Sequence, residues 1–314
     1  MSKITIIGTG KVGSTIAYTL AVTNAASEII MIDIDGERAI GEALDIRQGT
    51  PFCSPCFIRA GSYLDASGSD IVVITSGVAR KPGQSRLDLT QTNVDIMKNI
   101  IPQIVSYCPN AKYVIVSNPV DIMTYVFCKY SGVPENHVIG SGTILDTSRL
   151  RARLSEFYHV NQHNVHAYVM GEHGDSSFIP WSLANISNVP IGEYKLTIGQ
   201  MGECFPEIDK KEIENYVRTS GARVIQRKGA TFYAVSVSVC HICKCLLGSV
   251  DTTMTVSTMM HGEYGIEDVC LSILTAVNQN GIHGKVMTPL TQDELQLLQK
   301  SAKNLKEVIK SCNI

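Results

Sequence analysis

The chain has 314 residues, with 27 Lys plus Arg against 29 Asp plus Glu and a formal net charge of −2. That near balance argues against a nucleic-acid binder, which carries an excess or a patch of basic residues. Hydrophobic residues at 44% and charged residues at 18% describe a globular chain rather than a disordered one. No apolar run approaches the roughly 20 residues a bilayer needs. Met1-Ser2-Lys3 leads into a strand-like run without a signal-segment pattern, so the expectation is a cytoplasmic protein with no membrane partner.

Over the first 140 residues two kinds of segment alternate. Short β-branched runs at 3–7, 28–32, 70–75, 112–116 and 138–139 are separated by longer stretches with helical spacing, the first at 14–25. Continuous apolar strands alternating with helices predict a parallel sheet covered on both faces. Residues 94–107 show the helical type: Ile96, Ile100, Ile101, Ile104 and Val105 keep one apolar stripe until Cys108-Pro109 stops it. After about Gly142 the pattern changes. Residues 165–170 alternate, 230–247 read as a buried helix, and 253–260 and 269–277 read as antiparallel strands. Thr291-Gln292-Asp293-Glu294 is a capping box opening an amphipathic terminal helix through Leu295, Leu298, Ala302, Leu305, Val308 and Ile309. The predicted fold is α/β: a Rossmann-type doubly wound parallel sheet over 1–141, followed by a mixed α+β catalytic domain over 142–314.

Ten cysteines raise the alternative of a thiol or metal protein. Cys53-Ser54-Pro55-Cys56 has redox-motif spacing, and Cys240-His241-Ile242-Cys243-Lys244-Cys245 invites a metal reading. The two clusters lie about 180 residues apart, whereas a tetrahedral zinc site pairs ligands at repeated short spacings. Reduced thiols acting as small hydrophobes, and no metal, are expected.

Ile4-Thr5-Ile6-Ile7-Gly8-Thr9-Gly10-Lys11-Val12-Gly13 is a strand feeding GxGxxG and then a helix. The glycines serve a tight turn, close approach of backbone to a pyrophosphate, and helix–strand packing, with the helix N-terminus facing the phosphates. A second strand ends at Asp33, twenty residues after Gly13. A carboxylate there accepts from ribose hydroxyls and repels a 2′-phosphate, so the cofactor is read as NAD rather than NADP.

Gly171-Glu172-His173-Gly174-Asp175 follows the alternating segment 165–170. Asp146 and Arg149, three apart, share a helix face. Arg86 closes Val78-Ala79-Arg80-Lys81-Pro82-Gly83-Gln84-Ser85-Arg86, a polar loop after a strand end, where α/β folds keep their ligands. With these, Val116-Ser117-Asn118-Pro119-Val120-Asp121, residues 140–149 and Lys228-Gly229-Ala230-Thr231, the chain resembles the lactate/malate dehydrogenase family over essentially its whole length.

The resemblance implies roles. His173 is the proton donor to a 2-keto oxygen, and the base in the reverse direction. Asp146 holds its imidazole. Arg149 clamps the substrate carboxylate, and Arg86 polarises the carbonyl from a closing loop. Asn118 bonds near the reacting oxygen, and Thr231 lines the substrate pocket. Gly8, Gly10, Val12, Gly13, Asp33, Arg38, Tyr63, Thr75, Gly77, Val78, Asn99, Val116, Ser117, Asn118 and Ser141 follow the cofactor.

Arg80 stands where lactate enzymes of the family usually carry Gln and malate enzymes carry Arg. A second guanidinium suits the extra carboxylate of oxaloacetate. Glu172, Ser141-Gly142-Thr143, Val120-Asp121, Trp181-Ser182 and Thr231 are lactate-like, so L-lactate dehydrogenase with pyruvate and lactate as substrates is expected, and malate dehydrogenase is the alternative. Arg151 lies about 200° around the helix from Arg149, and His166 lies on the strand face opposite Val165, Ala167 and Val169. Both match residues that hold fructose 1,6-bisphosphate across a subunit interface in allosteric bacterial lactate dehydrogenases, which implies that effector and a homotetramer. An NAD-binding sensor is the remaining alternative, but a sensor needs no proton donor.

Overall fold

The computed structural model describes residues 2–78, 86–194, 196–198, 201–203 and 207–314, with 86, 196–198 and 201–203 described by backbone alone. Strands β1 (Lys3–Ile7), β2 (Glu28–Ile32), β3 (Phe57–Ala60), β4 (Ile71–Ile74), β5 (Lys112–Ile115) and β6 (Val138–Gly140) are all parallel. Their spatial order is β3-β2-β1-β4-β5-β6, the doubly wound arrangement, whose crevice opens where the order reverses beside β1 and β4.

Successive side chains of a strand point to opposite faces, and here both faces are covered. In β4, Val72 and Ile74 join one core cluster while Ile71 and Val73 join the other. Helices α1 (Lys11–Val22) and α7 (Tyr233–Leu246) cover one face through Ile16, Leu20, Val239 and Ile242. Helices α3 (Arg86–Tyr107), α4 (Val120–Ser131) and α8 (Gln292–Ser311) cover the other through Val94, Ile101, Met123, Val126 and Leu298. That is why these strands read as unbroken apolar runs.

The second half does not build a separate main sheet. Strands β12 (Thr252–His261), β13 (Glu267–Asn278) and β14 (Gly281–Lys285) are antiparallel and continue the first sheet, joined through Ser257 opposite Gly140. Among the described residues the sheet thus has nine strands, across the position where the sequence pattern changes. Helices α5 (Ile144–Tyr158) and α6 (Lys210–Lys228) enclose a smaller core with the short strands β7 (Val165–His166), β8 (Asn185–Ile186) and β9 (Val189–Pro190). Helix α2 (Gly36–Gly49) and the antiparallel pair β10 (Leu196–Ile198) and β11 (Met201–Glu203) complete the described α-helices and strands.

Three sequence expectations shift. The first helix begins at Lys11 rather than Ser14, because Gly10 already serves as its N-cap. The alternating run 165–170 is a strand only at Val165–His166, since β8 offers just two partners. The helix expected to be buried over 230–247 keeps Tyr233 and Val237 exposed. The capping box at Thr291 and Glu294 is present with both reciprocal bonds. Among the described residues, no helix is long and apolar enough to cross a membrane.

Candidate active site

At the end of β1 the chain turns through Gly8, at φ +99°, into α1. A Cβ on Gly8 would lie 2.8 Å from the Thr75 hydroxyl, and one on Gly13 would lie 1.8 Å from the Gly8 carbonyl oxygen. The Thr75 hydroxyl donates to that carbonyl at 2.8 Å, locking β4 to the turn. Gly10 differs: a Cβ there would meet nothing within 4 Å. No side chain caps α1, so its first-turn N–H groups face an open approach suited to a pyrophosphate.

Asp33, just beyond β2, accepts from the Thr9 N–H at 2.6 Å, the Thr9 hydroxyl at 3.0 Å and the Asp35 N–H at 3.0 Å. Burial pushes its carboxyl up, but these donors, with Arg38 behind them, hold it below the usual carboxylate range. An ionised carboxylate at this point fits NAD and opposes a 2′-phosphate.

From this turn a cavity of about 560 Å³ runs toward α5 and α6. Val12, Thr75, Gly77, Val78, Val116 and Ser117 line it, together with Asn118, Ser141, Asp146, Arg149, His173 and Thr231. Asp146, in the first turn of α5, is 6% exposed. One of its oxygens meets Nδ1 of His173 at 2.6 Å and the other accepts from Arg149 at 2.9 Å. The carboxylate makes Nδ1 the protonated nitrogen, which leaves Nε2 as the ring nitrogen available for chemistry.

Burial pushes the Asp146 carboxyl up, yet His173 and then Arg149 outweigh it, and the group is held below its usual range. Burial likewise pushes the His173 imidazole down. Asp146 and, less strongly, Asp121 overcome that and hold it above the usual value for histidine. A histidine whose protonated form is favoured, beside a guanidinium, is equipped to give a proton to an oxygen of a bound anion.

Not every expected residue joins this cavity. Asn99 is exposed on α3, its carbonyl taken by Gln103. Tyr63 is half-buried and packs against the core. Arg38 pairs with Asp35 at 3.4 Å, at the rim beside Asp33. Arg80 lies outside the described residues, and Arg86 is placed only by its backbone, as the first residue of α3. Arg151 donates to the Gln162 carbonyl at 3.2 Å and lines a separate cavity of about 410 Å³ with His241 and Tyr168. His166 is exposed on β7, while Val165, Ala167 and Val169 are buried.

Sequence reasoning overlooked Asn93, which lines the cavity, accepts from the Val78 N–H at 2.9 Å and donates to the Asn118 carbonyl at 2.8 Å. It ties the segments at Val78 and Asn118 together; a buried polar residue next to Val94 on the apolar stripe was the signal available. Arg218 on α6 also lines the cavity and was hidden in a helix rich in charge. The cysteines of both clusters are free thiols. Burial pushes the Cys243 thiol far up and Cys56 up to about 11, which disfavours the thiolate at neutral pH. Among the described residues no group of three or more His, Cys, Asp or Glu is placed to hold a metal.

Residues 2–140 match the family model described as lactate/malate dehydrogenase, NAD binding domain, and residues 143–313 match its alpha/beta C-terminal domain. The chain belongs to the lactate/malate dehydrogenase family. Within it, the chain is 45% identical over 314 residues to an L-lactate dehydrogenase of Acetivibrio thermocellus, covering all of this chain and 98% of that one. An L-lactate dehydrogenase 1 of Clostridium acetobutylicum is 43% identical, with 99% and 98% covered. Among solved structures, a minor L-lactate dehydrogenase of Enterococcus mundtii in a ligand-bound form superposes with a TM-score of 0.94 at 34% identity, covering 100% and 99% of the two chains. The L-lactate dehydrogenase of Clostridium thermocellum gives 0.89 at 40% identity with both chains fully covered.

Proposed function

We propose that this protein is an NAD-dependent L-lactate dehydrogenase interconverting pyruvate and L-lactate. The observation that carries the reading is His173, held by Asp146 beside Arg149, in the cavity that begins at the glycine turn. The relatives named L-lactate dehydrogenase at 43–45% identity support pyruvate over oxaloacetate.

In the reducing direction His173 gives its Nε2 proton to the 2-keto oxygen while Asp146 stays ionised and stabilises the imidazolium. Arg149 spends one N–H on Asp146 and has others left for a bidentate grip on the substrate carboxylate. Asn118 bonds near the reacting oxygen and Thr231 closes the wall beside the substrate methyl. Arg86 is assigned to carbonyl polarisation. When bound, the nicotinamide cofactor supplies or accepts the hydride.

Arg80 supports malate dehydrogenase as a second reading, because an arginine at this position of the sequence suits the second carboxylate of oxaloacetate. Arg151 and His166 are assigned to fructose 1,6-bisphosphate at a homotetramer interface. Exposed Ile40, Leu44 and Val237 favour association of subunits. Residues 1–141 would serve the cofactor and 142–314 the substrate and effector, in the cytoplasm.

The test is NADH oxidation with pyruvate and with oxaloacetate, each with and without fructose 1,6-bisphosphate. Pyruvate preference with a lowered KM in the presence of the effector is expected. A higher kcat/KM for oxaloacetate would overturn the lactate reading, and an unmoved pyruvate KM would overturn the effector site.

A further inference from the structure

His173 is held by two carboxylates, and only Asp146 belongs to the mechanism so far. The second is Asp121, in the first turn of α4, 2% exposed. Its Oδ2 accepts from the His173 main-chain N–H at 2.7 Å, and its Oδ1 accepts from the Ser257 hydroxyl on β12 at 2.6 Å. Asp146 therefore grips the ring while Asp121 grips the backbone of the same residue, from the opposite half of the chain.

A neutral Asn would satisfy that N–H at far lower desolvation cost than a buried carboxylate. The charge itself therefore calls for a use. The groups facing Asp121 are His173 and Glu172 from the catalytic turn, Ser257 from β12 and Cys270 from β13; Arg149 and Asp146 face His173 from α5. The imidazolium is the cation that the Asp121 charge favours.

We infer that Asp121 is a positioning residue for proton transfer: it anchors the backbone of His173, its charge favours the imidazolium, and Ser257 governs how readily that charge is kept. Burial pushes the Asp121 carboxyl up to about 6, against the pull of Ser257 and His173. The Oδ1 side tolerates a proton because the Ser257 hydroxyl can turn from donor to acceptor, whereas a proton on Oδ2 would oppose the His173 N–H. Below that point His173 loses one of its two stabilising charges.

This rests on His173 being the proton donor, so the decisive readout uses neither substrate nor cofactor. Ethoxyformylation by diethyl pyrocarbonate, which takes only neutral imidazole, is followed at His173 by mass spectrometry from pH 5.5 to 8. Asp121→Asn keeps an acceptor for the N–H and removes the charge. The midpoint for His173 is expected to fall by roughly one unit, with about a tenfold loss of kcat/KM for keto-acid reduction on the alkaline side. An unmoved midpoint overturns the proposal, even if activity falls, because an anchor without electrostatic effect leaves the titration in place. Should Asp121→Asn fail to fold by circular dichroism, Ser257→Ala, which makes the carboxylate easier to protonate, is expected to lower the midpoint by less. An unmoved midpoint there overturns the proposal equally. A protein that turns over no 2-keto acid would refute the proposed function and leave the midpoint shift standing.

Discussion

Gly13→Ala and Gly41→Ala are the same substitution in two helices, and the structure gives them opposite signs. In both, replacing Gly by Ala in a helix is worth about 0.5–1 kcal/mol of stability. At Gly41, exposed within α2, the added Cβ meets nothing within 4 Å, so that gain is the whole effect. At Gly13 the Cβ falls 1.8 Å from the Gly8 carbonyl oxygen and 2.9 Å from the Thr75 hydroxyl. A carbon and an oxygen not bonded to each other need about 3.5 Å between them, so α1 must move away from the end of β1. Overpacking of this kind costs about 1–3 kcal/mol, which exceeds the helical gain. The displaced α1 N-terminus also carries the open approach at Gly10, so cofactor affinity falls with stability. Thermal unfolding and titration of NADH fluorescence read the two effects separately. Gly13→Ala is expected to lower Tm and weaken NADH at least tenfold, while Gly41→Ala raises Tm slightly with NADH affinity unchanged. A Gly13→Ala protein with wild-type Tm and wild-type NADH affinity would refute the packing argument.

Asp146→Asn can offer its carbonyl to His173 or to Arg149, never to both, and it removes the carboxylate that holds the imidazole up. Each unit the imidazole falls costs about tenfold in protonated fraction at alkaline pH. Pyruvate reduction should therefore suffer most above neutrality and recover in part on acidification; a loss equal at every pH would contradict this. Arg149→Lys replaces a planar fork by a point charge, so KM for pyruvate should rise about tenfold or more, and an unchanged KM would sink the clamp. Glu294 accepts from the Ser182 N–H at 3.0 Å, the Ser182 hydroxyl at 2.6 Å and the Thr291 N–H at 2.9 Å. Burial pushes its carboxyl up, but these donors prevail and hold it below the usual glutamate range. A depressed carboxylate stabilises above the ordinary glutamate range and loses that contribution as pH falls through its folded value. Glu294→Gln should then cost about 1–3 kcal/mol at pH 7, with the Tm gap narrowing toward pH 3; a gap that widens would refute the assignment.

What the chain's local order determined is the first half of the fold and the inventory of the chemistry. Strands β1, β2, β4 and β5 were legible because burial on both faces demands unbroken apolar runs, a demand written in consecutive residues. The turn at Gly8, Gly10 and Gly13 and the Asp146–Arg149 pair were legible for the same reason, since their contacts span a few positions. The tertiary structure alone decided the rest. Strands β7 to β9 have two residues each, too short to carry a period of two. Nothing in the sequence indicated that β12 would continue the first sheet, which hangs on one residue pair, Ser257 with Gly140. Asp121 and His173 are 52 residues apart, and Asp121 and Ser257 are 136 apart. Such pairings follow from which helix packs on which strand, and no spacing in the chain encodes them. Neighbours along the chain are constrained by backbone geometry, so their pattern reads directly; partners across the fold are chosen by closure of the whole core, and only that closure brought a second carboxylate to His173.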